Sequence, residues 1–345
     1  MRIPILAAFL LIVLRLPAQD DVLPSLFDSL YHLQDVHLIL TYPFDSLVKT
    51  NNEEIPATIT IEHAGGKLLR NASMSINLRG KFRRMKCGMP PLLLNFKKST
   101  LRELHLDPID EVKLVTHCVT GPEGPENLQE ELLCYQMYEK ISPYAYRTIW
   151  LTVTYCDALH PDSCFTNSGF LIEPDKVLSG RLGVFEKRLY NVSEDSVHYE
   201  SFASLTAFNF MIGNRDWDIV ASRNAKLFFN PSFGKYIVIP YDFDYANIVG
   251  ASYRRVTLTN PMKHPFDRIY DGYYFRDKCS STLTDFAKKE KDIMTVIANA
   301  PNPLSKERRE QISNYIGDWF HWVDKINPKE LQYGVVCYYK GGLKP

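Results

Sequence analysis

The sequence lacks the short motifs that would announce a common chemistry. None of its nine histidines falls in an HExxH pattern, no CxxC pair occurs, and no GxSxG marks a nucleophilic serine. These absences argue against zinc sites and serine hydrolases. An excess of charge is also missing, since Lys plus Arg and Asp plus Glu number 40 each. That balance argues against a strong electrostatic hold on nucleic acid. One local basic run stands out, with Lys81, Arg83, Arg84 and Lys86. No repeat or low-complexity tract occurs, and beyond the first residues no apolar run is long enough to cross a bilayer.

What is present is enough for a full core: 345 residues, 45% hydrophobic and 12% aromatic. The opening MRIPILAAFLLIVLRLPAQD has a basic start, an apolar run from Ile3 to Leu14 and a small residue at Ala18. This layout predicts a signal peptide over residues 1–19 and an exported protein in the periplasm, on the cell surface or outside the cell. No transmembrane span is expected after its removal. Seven cysteines follow it. Cys156 and Cys164 lie close enough for a local disulfide, and the odd count leaves at least one free thiol.

Alternating apolar and polar residues predict strands at DVHLILTY (35–42), at ATITIEH and ASMSINLRG flanking Gly65-Gly66, at LLLNF (92–96) and at EVKLVTHC (111–118). NLQEELLCYQMYEKIS (127–142) has helical spacing, YRTIWLTVTYCD (146–157) returns to strand, and SGFLIEPDKV (168–177) reads as strand then turn. In SFASLTAFNFMIG, the stripe Phe202, Leu205, Phe208, Met211 reads as a buried helix face. AKLFFN and KYIVIPYDFD form a hairpin, and residues 305–326 a final helix. The order predicts an α+β protein of two lobes with a cleft between them: a β-rich part over 20–175, and a mostly helical part with an acidic hairpin over 176–345.

Asp216, Asn224, Asp242 and Asp244 lie beside apolar runs in NRDWDIVASRN and PYDFDYA. Carboxylates there are costly unless paired or holding a cation. Two acids and an amide suit Mg²⁺, a hard cation that takes one or two carboxylates and leaves room for phosphate oxygens. Asp242 and Asp244 are two apart, so a strand would turn both to one face. Asp218 reads as a solvated or capping neighbour.

NRDWDIVASRNAKLFF…GKYIVIPYDFDYA, together with NLRGKFRR…PPLLLNF and GFLIE, resembles the secreted CotH kinase family, named for bacterial spore-coat proteins. The resemblance spans roughly residues 35 to 275. It implies a divergent exported bacterial member with an atypical protein-kinase-like fold, using ATP and Mg²⁺ to phosphorylate protein Ser or Thr. Asp216 then matches the catalytic acid–base position, and Asn224 with Asp242 or Asp244 the metal ligands. Where the family carries a Lys pair for the phosphates, this chain has Pro90-Pro91. Arg79, Lys86 or Lys97 are the substitutes, with Glu130 or Glu131 as the helix acid facing such a cation and Glu173 near the nucleotide base. Two readings follow: an exported protein kinase, or a non-catalytic envelope protein that binds a partner or has a structural role. A metal-dependent hydrolase using the same acids is a weaker third.

Overall fold

The computed structural model describes residues 23–49, 53–80, 87–119, 121–255, 258, 264, 267–272, 274–275, 278–300, 304–325 and 338–339. The expected signal peptide and the basic run, Lys86 included, lie outside the described residues.

Helix α1 (Leu26–Tyr31) begins at a capping box in which Ser25 and Asp28 each satisfy the other's backbone. Strand β1 (His37–Tyr42), helix α2 (Phe44–Lys49) and strands β2 (Ile55–His63) and β3 (Gly66–Leu78) follow. The two strands form the expected long hairpin, turned at Gly66, whose φ of +140° suits glycine. Then come β4 (Leu92–Phe96), α3 (Lys98–Glu103), β5 (Glu111–Thr116), the long helix α4 (Glu123–Ile141), β6 (Thr148–Asp157) and β7 (Cys164–Ile172).

These seven strands close into a barrel in the order β1-β2-β3-β4-β5-β7-β6. Closure depends on β1, which pairs antiparallel with β2 on one edge and parallel with β6 on the other, His37 lying opposite Thr152. Register shifts in β2 near Ile59 and Ile61 are the local irregularities that let a sheet curl. Leu40, Ile59, Ile76, Leu92, Leu114 and Val153 fill the interior with no measurable exposure.

The closed barrel corrects the expectation of a two-lobed, kinase-like fold. Both edges of the N-terminal sheet are consumed by pairing, so it is not an open β-rich lobe. Alternation predicts strands one at a time, whereas the pairing of β1 with β6 joins segments more than a hundred residues apart.

Beyond the barrel lie α5 (Asp175–Leu182), β8 (Phe185–Lys187), a 3₁₀ turn (Glu194–Ser196), α6 (Tyr199–Ile212), β9 (Ala225–Asn230) and β10 (Lys235–Pro240). The last three strands form a small sheet in the order β10-β9-β8. A short strand β11 (Arg268–Ile269), helices α7 (Cys279–Ala287), α8 (Glu290–Ala298) and α9 (Lys306–Lys325), and β12 (Tyr338–Tyr339) complete the described chain. Helix α4 joins the halves. Val115, Phe170 and Ile172 on the barrel's outer wall share one core with Leu132 and Tyr135 of α4 and Phe208 of α6.

Disulfides join Cys156 to Cys164, as spacing suggested, and Cys87 to Cys118; Cys134 on α4 is a buried free thiol. Two such bonds point to an oxidising environment. Among the described residues no helix is long and apolar enough to cross a membrane.

Candidate functional site

The acids converge where α6 ends. Gly213 terminates that helix with φ +67°, and a Cβ there would collide with the Asn247 amide. The chain can therefore turn sharply into Asn214, whose amide donates to Asn209 Oδ1 at 2.9 Å and whose Oδ1 accepts the Asp216 N–H at 3.0 Å. Asn224 then closes on the same residue, its Nδ2 donating to Asp216 Oδ2 at 2.9 Å and to the Asp216 carbonyl at 2.7 Å. Between them Asp218 Oδ1 accepts the N–H groups of Val220 and Ala221, the local capping role expected of it.

Burial pushes the Asp216 carboxyl above its ordinary range; Arg223, 3.4 Å away, pulls it down, and the charge of Asp244 pushes it further up. Asp216, Asn224 and Asp244 thus share one neighbourhood. Asp244 is 5% exposed and accepts the Tyr253 hydroxyl at 3.0 Å.

The expectation that Asp242 and Asp244 occupy one strand face is corrected. Strand β10 stops at Pro240, and Asp242 sits in the left-handed region at φ +63°. Its N–H donates to the Tyr135 hydroxyl at 2.9 Å, and Phe243 turns into the core against Tyr135 and Phe208. Asn224 is left-handed too, at φ +49°. Non-glycine residues in such conformations concentrate at functional sites.

Asp242 lines a cavity of about 60 Å³ at the seam between barrel and helices, with Arg79, Val115, Glu131, Tyr135 and Tyr241. Arg79 therefore occupies the seam, and Glu131 is the helix acid that shares its cavity. Glu130 faces elsewhere: it pairs with Arg308 of α9, and burial still drives its carboxyl up to about 8. Lys97 is exposed beside α3. Pro91 also lines the cavity.

Glu173 is not among the residues that line this cavity. It is fully buried, and its two oxygens accept Arg147 and Arg181 at 2.7 to 2.9 Å, with Arg147 reaching on to Asp28. Both oxygens are occupied, so it ties the start of β6 to α5.

Two residues near the cavity were not singled out in the sequence. Lys113 and Lys226 both bind Asp175 Oδ2, at 2.9 and 2.6 Å. Each occupies an ordinary polar slot in an alternating strand, so no local signal marked it.

Among the described residues no three His, Cys, Asp or Glu side chains cluster as a metal site. Of the expected ligands, Asn224 hydrogen-bonds Asp216, and Asp244 is near enough for its charge to raise the Asp216 carboxyl. A set this sparse fits Mg²⁺, which retains waters and phosphate oxygens in its shell. No family model matches the chain, and no curated protein matches it.

Proposed function

We propose that this chain is an exported, Mg²⁺-dependent phosphotransferase, a CotH-like protein kinase in activity, passing a phosphoryl group from ATP to a Ser or Thr hydroxyl of a protein. The observation that carries this reading is the Asp216–Asn224 pair beside Asp244, one turn of chain from a cavity that holds both Arg79 and Asp242. Phosphoryl transfer needs positioning and charge balance more than covalent chemistry, and these are the groups it uses.

Asp216 positions the acceptor hydroxyl and takes its proton; a carboxyl held above its ordinary range is a better base at neutral pH. The Asn224 amide fixes one Asp216 oxygen, and that hydrogen bond sets the direction in which the acid works. Asn224 and Asp244 would hold Mg²⁺, with Asp242 the alternative to Asp244; the ion would neutralise charge on the transferred group. Arg79 supplies fixed positive charge at the cavity wall, in the role of the missing lysines.

A second reading, a non-catalytic envelope protein, draws on Pro91 at the cavity wall and on the cavity's small volume. Radiolabelled γ-phosphate transfer from ATP to a mixed protein acceptor separates the two. The kinase reading expects incorporation by wild type and its loss in Asp216→Ala; a folded wild type that transfers nothing overturns it.

A further inference from the structure

Helix α6 closes its last turn with backbone groups alone. The Gly213 N–H donates to the Asn209 and Phe210 carbonyls, and the Asn214 N–H donates to the Asn209 carbonyl at 2.8 Å. Two asparagine side chains are nonetheless buried at that end, Asn209 at 1% exposure and Asn214 at 2%. A buried amide is costly unless its polar atoms are met, so its bonds show what it serves.

Those bonds form a relay that runs in one direction only. The Leu205 carbonyl can only accept, so Asn209 turns its Nδ2 toward it, at 2.9 Å. That leaves Asn209 Oδ1 to accept the Asn214 Nδ2 at 2.9 Å, and Asn214 Oδ1 to accept the Asp216 N–H at 3.0 Å. Flipping either amide would set like groups face to face at both of its ends. The relay therefore starts on the backbone of α6 and ends on the backbone of Asp216.

Asn224 grips the same residue from the other side, at its carbonyl and at Oδ2. The Asp216 side chain is 34% exposed, too open for packing alone to fix its direction. Between them, Asn214 and Asn224 hold both ends of its backbone. Both are neutral, so they set orientation without adding a charge beside Asp216 and Asp244.

We propose that Asn214, anchored by Asn209, is a positioning residue that holds Asp216 where its carboxylate meets Asn224 and faces the acceptor hydroxyl. The catalytic meaning of that hold rests on the phosphotransferase reading; the hold itself rests on the hydrogen bonds.

The test applies two readouts to the full chain in wild type, Asn214→Ala, Asn214→Ser and Asn209→Ala. Urea unfolding identifies the variants that remain folded, and alanine at 209 preserves the helix. The first readout needs no activity. In ¹⁵N-asparagine-labelled protein, the Asn224 side-chain amide signal is identified by its absence from Asn224→Ala. It is expected to shift in each variant, with solvent exchange of its protons faster by about tenfold or more.

The second readout is γ-phosphate transfer from ATP per folded molecule. In Asn214→Ala kcat is expected to fall by about 10- to 100-fold, and less in Asn209→Ala, while KM for ATP stays within about twofold. Added to Asp216→Asn, the Asn214→Ala change is expected to cause no further loss, because Asn214 acts through Asp216. A residue that merely caps α6 would lower the urea midpoint and leave the Asn224 signal and transfer per folded molecule at wild-type values. An unmoved Asn224 signal in the folded variants overturns the proposal, as does a full further loss on the Asp216→Asn background. Transfer by wild type with an unmoved signal removes only the role of Asn214. A displaced signal with no transfer by folded wild type removes only the phosphotransferase reading.

Discussion

Two acidic clusters lie along the seam between barrel and helices, and they are built in opposite ways. Around Glu173 the chain balances its charges: Arg147 and Arg181 saturate one fully buried carboxylate, and Arg147 Nη2 also donates to Asp28. Around Asp216 it sets one acid near another, with Asp244 raising the Asp216 carboxyl while the half-exposed Arg223 and the Asn224 amide oppose it. A satisfied cluster holds elements together. A cluster in which one carboxylate raises another is suited to a cation or a proton from outside.

The largest effect expected from breaking this contrast is in Glu173→Gln. It leaves two guanidinium groups without their anion, and loss of one partner from a buried pair costs about 3–5 kcal/mol. Urea midpoints read this loss, and residual phosphate transfer per folded molecule stays near wild type. Next is the Cys87–Cys118 bond, which closes a sequence separation of 31 and ties the chain beyond Gly80 to the loop that precedes α4. Replacing both cysteines by alanine lowers stability by about 2–4 kcal/mol, measured the same way.

A smaller effect concerns pH. The Glu130 carboxyl is raised to about 8 in the folded chain because burial outweighs Arg308. The folded state therefore holds a proton that the unfolded chain releases at the ordinary carboxylate pKa. That contribution to stability is full at low pH and is lost as pH rises through about 8. Glu130→Gln should flatten the fall in melting temperature between pH 5 and 8. The smallest stability effect is expected from Asp216→Asn, which relieves repulsion with Asp244 and changes unfolding free energy by within about 0.5 kcal/mol.

Much of the fold was legible from alternation alone. The β2–β3 hairpin at Gly66, LLLNF as β4, the helix through Leu132, and the β9–β10 hairpin all follow from local pattern and turn chemistry. Barrel closure was not, because nothing local in DVHLILTY specifies TVTYCD as a parallel partner. The site divides in the same way. Asp216 and Asn224 are eight residues apart and face each other across a short turn, so spacing foretold their meeting. Lys113 and Lys226 are brought together only by the packing of two sheets. Glu130 and Glu131 are neighbours on one helix, and a rotation of about 100° between consecutive residues sends one to α9 and the other to the cavity.

The most direct measurement is γ-phosphate transfer from ATP with Mg²⁺ by wild type, Asp216→Asn and Glu173→Gln, each corrected for its folded fraction. The account predicts transfer by wild type, a loss of about 10²- to 10⁴-fold in Asp216→Asn, and near-normal transfer by folded Glu173→Gln. Equal transfer by wild type and Asp216→Asn, or none by a folded wild type, would contradict it.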